Sequence, residues 1–219
     1  MSRHEPWLHR PTLAERLASV PPGSPILRAL RNRPELLAGL ESGYQDLLRH
    51  SGAARAEALA IAAFTAHLHG EEAVSTHLHV LLQAADSELA LLIAEEAENA
   101  ALPGPYGTWP PGPLSAEDLD GPAWRADPPL RLRLGGRLSA ALEHAHLVTL
   151  HPRDITPAAD EALERADWLP AETLDLNRLI AWIGALSPVV SGLRAYAHAR
   201  HLQRTGTTAQ DRPAGFAYG

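Results

Sequence analysis

The sequence contains no cysteine, no lysine, and a single methionine at its first position. Without cysteine, the chain can form no disulfide, no thiolate nucleophile, no sulfenic acid and no zinc–thiolate site. Without lysine, it can form neither a Schiff base with pyridoxal phosphate nor the lysine-dependent phosphate loop of P-loop ATPases. All 19 basic residues are therefore arginine. Composition alone excludes thiol redox enzymes, pyridoxal phosphate enzymes and P-loop ATPases.

The remaining composition is that of a globular protein. Of the 219 residues, 45 % are hydrophobic and 21 % are charged, which is enough apolar material for one well-formed core. The net charge is −7 and the arginines are scattered, which argues against a nucleic-acid partner. The N-terminus lacks the apolar core of a signal peptide, and no apolar run approaches the length of a membrane span. We expect a cytoplasmic protein with no membrane partner.

Apolar residues recur every three to four positions through most of the chain, which predicts an all-α fold. Gly70 is predicted to separate two helices, and Asp86 or Ser87 to cap the next one. The last helix is predicted over about 171–203, with a kink at Pro188, and it is apolar over most of its circumference. We divide the chain into an N-terminal extension at 1–20, a first helical half at 21–102, a Pro-rich arm at 103–130, a second helical half at 131–204 and a loose tail at 205–219.

The Pro-rich arm has an unusual composition. Residues 103–129 hold eight prolines together with Tyr106, Trp109 and Trp124. So many prolines exclude a regular helix or a central strand. A disordered proline-rich segment seldom carries two tryptophans, so we expect an ordered arm whose aromatic residues anchor on the body or on a neighbouring subunit.

Two segments together resemble a known family. RAEALAIAAFTAHLHGEEAVSTHLHVLL, at 55–82, resembles the core helix pair of the alkylhydroperoxidase D and carboxymuconolactone decarboxylase family. That pair has an acidic residue in a small-residue helix, a Gly-containing break, then Cys-x-x-Cys and a histidine about one turn on. ETLDLNRLIAWIGALSPVVSGLRAY, at 172–196, resembles the closing segment of a two-part branch of this family, and 21–48 and 147–158 its opening and middle segments. The resemblance implies an AhpD-like bundle of two related helical halves.

The sequence departs from the family pattern at the residues that carry the family's thiol chemistry. The two cysteine positions fall at Glu71 and Val74, so thiol peroxidase activity is not expected. The family's acid and histidine form a proton relay, and their nearest counterparts here are Glu57 and His77. A buried glutamate hydrogen-bonded to an imidazole can work as a general acid/base pair. The resemblance therefore implies proton transfer on a small carboxylate or lactone, with Glu71 as a further catalytic candidate.

An anionic substrate of this kind calls for an arginine, and Arg55 and Arg194 lie close to the matched segments. The same residues also fit roles without catalysis. Glu71 at a helix N-terminus stabilises the helix dipole, and His77 shares a stripe with apolar residues, as a core-edge histidine does. The alternative function is thus a non-catalytic protein, structural or ligand-binding, in which the old pocket is filled or holds a ligand.

Histidine pairs occur at His67 and His69, His77 and His79, His144 and His146, and His198 and His201. Residues two apart on a helix point in nearly opposite directions, and the pair three apart lacks identifiable further ligands. We therefore assign no metal and no cofactor. A homo-oligomer, trimer or hexamer, is implied by the family resemblance and is favoured by the apolar surface of the last helix.

Overall fold

A computed structural model describes residues 11–21, 24–50 and 52–205. All regular secondary structure in these ranges is helical, which confirms the predicted all-α fold. The α-helices are α1 (Leu13–Leu17), α2 (Pro25–Arg31), α3 (Pro34–Arg49), α4 (Gly52–Leu68), α5 (Glu72–Ala85), α6 (Ser87–Ala100), α7 (Pro128–Leu134), α8 (Gly136–Leu150), α9 (Pro157–Glu164) and α10 (Pro170–Thr205). The division into two related halves and the AhpD-like arrangement stay predictions.

Helix α4 lies at the centre of the fold. It packs against α5, α6, α8 and α10, and its Leu59 and Phe64 are fully buried. Alanines such as Ala60 and Ala62 are also fully buried, and their small side chains let the neighbouring helices approach closely. The long helix α10 then crosses α4, α3 and α1, so that the first and last parts of the chain share one core.

Several helix boundaries are set by turn and capping residues that can be recognised in the sequence. Gly70 takes φ +68° after α4, a conformation that favours glycine, and the chain turns there into α5. Asp86 caps α6, since its Oδ1 accepts a hydrogen bond from the Leu89 N–H at 2.9 Å. Thr12 caps α1 in a capping box with Glu15. The predicted break at Gly70 and the predicted cap at Asp86 are confirmed.

Helix α7 overlaps the C-terminal end of the Pro-rich arm, where the proline content argues against a helix. Helix α7 begins at Pro128, and Pro129 follows. Proline is well tolerated in the first turn of a helix, because the backbone N–H groups there have no hydrogen-bond partner within the helix. Asp127 caps it by accepting a hydrogen bond from the Leu130 N–H at 2.8 Å. A short 3₁₀ helix, Pro113–Glu117, also lies within the arm, so the expectation of no regular helix over 103–129 is corrected there and at its C-terminal end.

The aromatic residues of the arm contact the helical body. The Trp124 ring lies 5.0 Å from the Phe64 ring between centroids, and its Nε1 donates to Glu96 on α6 at 3.3 Å. Tyr106 is buried, with its ring 5.3 Å from that of His151. The predicted N-terminal extension is described only from residue 11, and the predicted tail lies outside the described residues except Thr205, which ends α10.

Helix α10 is long and apolar enough over Pro170–Arg200 to cross a membrane, judged by length and composition alone. This corrects the expectation that no segment of the chain meets that criterion. The core helix of a soluble protein passes the same test, and α10 packs against several other helices, so this is weak support for a membrane span.

Candidate functional site

The predicted catalytic residues Glu57 and His77 lie in two different cavities. His77 lines a cavity of about 500 Å³ between α1, α5 and α10. We call it the helix-break cavity, because α5 follows the break between helices at Gly70, and we define it by Arg16, His77 and Arg194. Glu57 lines a cavity of about 650 Å³ between α3, α4 and α10, which we define below as the tryptophan cleft. Among the described residues, no hydrogen bond joins Glu57 to His77, so the structure does not bring the predicted pair together.

Glu71 holds the start of α5 in place. Its side chain caps the helix by accepting a hydrogen bond from the Ala73 N–H at 3.3 Å, and the same oxygen accepts one from Arg194 Nη1 at 2.6 Å. The Glu71 side chain is only 10 % exposed, whereas that of Arg194 is 42 % exposed. Glu71 thus fixes Arg194 at the cavity, and both its contacts are structural ones.

His77 has a partner that the sequence did not indicate. Its Nε2 lies 3.0 Å from the hydroxyl of Tyr44, a buried residue of α3. Burial lowers the pKa of His77, and the positive charge of Arg16 lowers it further, so the imidazole is neutral at pH 7. Burial also raises the pKa of Tyr44, which keeps its hydroxyl protonated. The pair is therefore a neutral imidazole bonded to a neutral phenol.

The Tyr44 hydroxyl makes His77 usable in either tautomer. A phenol can donate to Nε2 or accept from it, so both neutral forms of the imidazole are satisfied at that nitrogen. When Nε2–H donates to Tyr44, Nδ1 carries a lone pair and can accept a proton. When the phenol donates, Nδ1 carries the hydrogen and can donate a hydrogen bond. The neutral His77–Tyr44 pair can therefore serve as a general base, and the imidazolium that forms when it takes a proton can serve as a general acid.

Two arginines line this cavity and offer hydrogen-bond donors to it. Arg194 reaches it from α10, and Arg16 reaches it from α1, where its Nη1 donates to the Pro11 carbonyl at 2.8 Å. Each guanidinium keeps further N–H donors beyond the bond described, so the two can bind a carboxylate together. The other predicted arginine, Arg55, lines neither cavity, and its Nη1 is 3.5 Å from the Leu48 carbonyl.

The tryptophan cleft is defined by Trp168, Trp182 and Glu57. Both Glu57 carboxylate oxygens accept hydrogen bonds from Arg137 Nε, at 3.1 and 3.3 Å, and Arg137 also donates to Glu172 at 3.0 and 3.2 Å. The guanidinium lies over the Trp168 ring, 4.0 Å from its centroid. The hydrogen bond from Arg137 lowers the pKa of Glu172, as does the Leu169 backbone N–H. Glu57 is thus part of an ion cluster.

The histidine pairs form no metal centre in the part of the chain that the structure describes, where no group of three or more histidine, aspartate or glutamate side chains is placed to hold an ion. His67 instead pairs with Glu98 at 3.5 Å, and His144 Nε2 lies 2.8 Å from Asn177 Oδ1. The side chain of His201 is not among those that the structure describes.

No family model matches the chain, and no curated protein or solved structure is significantly similar to it. The resemblance to the alkylhydroperoxidase D and carboxymuconolactone decarboxylase family accordingly rests on the segments quoted above, and it stays a prediction. The roles of Glu57, His77, Glu71, Arg55 and Arg194 are likewise predictions, to be weighed on their geometry.

Proposed function

We propose that this protein is a cysteine-less relative of the alkylhydroperoxidase D and carboxymuconolactone decarboxylase family that performs acid/base chemistry on a small carboxylate or lactone in the helix-break cavity. One observation carries the proposal: His77, bonded to Tyr44, lines the same cavity as Arg16 and Arg194. Tyr44 takes the place that the sequence interpretation gave to Glu57, since Glu57 is bound to Arg137 in the other cavity.

The guanidinium groups of the cavity offer hydrogen-bond donors to a carboxylate group on the substrate. Arg16 and Arg194 line the cavity from α1 and α10, and the neutral His77 lines it from α5. Glu72 also lines the cavity and faces solvent, and Glu71 forms an ion pair with Arg194, so two carboxylates balance the two arginines. What a substrate carboxylate gains here is the remaining N–H donors of Arg16 and Arg194. An anionic group on the substrate can therefore bind the guanidinium groups and present its reacting carbonyl to His77.

The reaction that this arrangement fits is the hydrolytic opening of a lactone. Water attacks the lactone carbonyl carbon while His77 Nδ1 takes one of its protons. The ring C–O bond then breaks, and the imidazolium returns that proton to the leaving alkoxide, which gives a hydroxy acid. Tyr44 accepts a hydrogen bond from Nε2–H throughout and orients the ring. No cofactor and no thiol enters this sequence.

The test is ring opening of γ-lactones that carry a side-chain carboxylate, measured by NMR at pH 7 beside the methyl esters of the same compounds. We expect the lactones with a free carboxylate to be opened faster than their methyl esters. We expect His77→Gln to lower the rate by about a hundredfold or more, the usual size of a general acid/base contribution. His79→Gln is the matched control, since His79 lies two residues along α5 and lines neither cavity.

The pH profile gives an independent readout of the base. Because the pKa of His77 is lowered, the rate is expected to stay high as the pH falls to the ordinary histidine value of 6.5 and to decline only below it. Tyr44→Phe should lower the rate without abolishing it. If no lactone of the panel is opened, or if His77→Gln is as active as the wild type, the catalytic proposal fails.

A second candidate function is carboxylate binding at the same cavity without catalysis. The observation that favours it is that Glu57 and Glu71, the two predicted acids, are both occupied by arginines. Under this function the carboxylates bind in calorimetry and are not turned over. Arg194→Gln would then weaken binding, whereas Arg200→Gln, on the same helix and outside both cavities, would not.

A further inference from the structure

We propose that the tryptophan cleft is a second ligand site, which binds a small organic cation with an aromatic or other apolar body. Its volume of about 650 Å³ lies within the range of roughly 300–1,000 Å³ that is usual for small-molecule sites. It shares no lining residue with the helix-break cavity, although helix α10 contributes residues to both. This site does not depend on the proposed lactone chemistry.

The apolar part of the cleft is preformed. Leu47, Ile61 and Leu176 are buried core residues that line it from α3, α4 and α10. Trp182 is fixed at its edge, because its Nε1 donates to the Leu40 carbonyl at 2.9 Å and its ring packs directly over Gly43, where a Cβ would overlap it. A flat apolar group can therefore enter without rearranging the wall.

The charged part of the cleft carries one more carboxylate than arginine. The acidic lining residues are Asp46, Glu57, Glu172 and Asp175, and the arginines are Arg49, Arg137 and Arg178, with His50 beside them. Two of the arginines pair locally, Arg49 with Asp46 at 2.9 Å and Arg178 with Asp175 at 3.0 Å.

The unbalanced carboxylate lies at the ion cluster of Arg137. One guanidinium there faces two carboxylates, Glu57 and Glu172, whose side chains are 28 % and 40 % exposed. Both can accept further hydrogen bonds from a ligand, since a carboxylate has about four acceptor positions. With the net charge of −7 over the whole chain, the cleft attracts a cation and repels an anion.

Three probes with a common phenyl group test the site: phenethylamine, 2-phenylethanol and 3-phenylpropanoate, which are cationic, neutral and anionic. Binding is measured by calorimetry and by NMR shifts of the tryptophan indole protons at low ionic strength. We expect the amine to bind roughly tenfold more tightly than the carboxylate, with the alcohol between them. A difference of this size is what the interaction with one partly exposed carboxylate would produce. Added salt should narrow this difference.

Two variants assign the binding to the cleft. Glu172→Gln, at a partly exposed residue, removes the unbalanced charge and should bring the three affinities within about threefold of one another. Ala58→Phe fills the cleft from α4 and should remove binding of all three probes, with cooperative unfolding as the check on folding. Glu98→Gln is the control for charge alone, because Glu98 lies on α6 and outside the cleft.

The outcomes separate this proposal from the lactone chemistry. Amine binding that is unchanged in His77→Gln and lost in Ala58→Phe supports a cation site in the cleft, whether or not any lactone is opened. The proposal is overturned if the carboxylate probe binds as tightly as the amine or more tightly, if none of the probes binds at millimolar concentration, or if Ala58→Phe binds the amine like the wild type.

Discussion

His146 should make the protein lose stability as the pH falls below neutral. This residue of α8 is 1 % exposed, and its Nε2 has no hydrogen-bond partner among the described residues. Burial lowers its pKa from 6.5 to about 4, and the charges of His151 and Arg125 act in the same direction, against a backbone hydrogen bond at Ala100. The His151 ring is 5.6 Å away between centroids. Protonating His146 therefore places a charge in the core.

The size of the effect follows from linkage. Between pH 6.5 and pH 4 the unfolded chain binds a proton at His146 that the folded chain does not, so the free energy of unfolding falls as the pH falls. The shift of about 2.5 pH units corresponds to a total of about 3 kcal/mol. Between pH 7 and pH 5 the loss amounts to about 2 kcal/mol, because the folded histidine is still mostly neutral at pH 5.

The assay is urea unfolding at pH 7 and pH 5 of the wild type and of His146→Leu, which keeps a buried side chain of similar size and cannot be protonated. The wild type should lose about 2 kcal/mol more than the variant over this interval. Ionisable groups that do not interact with His146 are present in both proteins and cancel in the difference. His198→Leu, at an exposed residue of α10, should lose as much as the wild type. Equal losses in His146→Leu and wild type would refute the reasoning.

Two further predictions concern packing and assembly. Gly43→Ala should lower the free energy of unfolding by about 1–3 kcal/mol, because the new Cβ overlaps the Trp182 ring, whereas Gly39→Ala on the same helix meets no atom within 4 Å and should be neutral or stabilising. Urea unfolding measures both, and an equal effect of the two substitutions would contradict the Gly43 contact. The chain should also form a homo-oligomer, as the family resemblance and the apolar character of the last helix imply. Light scattering that gives a strict monomer at micromolar concentration would exclude this.

The helical framework could be predicted from the sequence because its signals are local. The periodicity of the apolar residues gave the all-α class, and the helix boundaries at Gly70 and Asp86 follow from a glycine in a left-handed conformation and a carboxylate cap. The sequence does not predict helix α7, because a high local proline content argues against a helix, although proline is favourable in the first turn.

The site could be predicted only in part, because its partners are distant in sequence. His77 and Arg194 were predicted and do line one cavity, but nothing in the apolar periodicity indicates that α1 and α3 bring Arg16 and Tyr44 to the same place. Glu57 was expected beside His77, and the packing of α4 against α8 gives it Arg137 instead. Periodicity tells which face of a helix is buried, but it does not tell which helix covers that face.

The position of Tyr44 has a consequence for how the protein can change over evolution. Its hydroxyl bonds to His77 at the helix-break cavity, while its ring stacks on Trp182 of the tryptophan cleft, with the ring planes 24° apart. A substitution at this one residue therefore alters the base of one site and the wall of the other. Selection for a new ligand in either cavity has to preserve Tyr44 or accept a change in both, so at this residue the two sites cannot diverge independently.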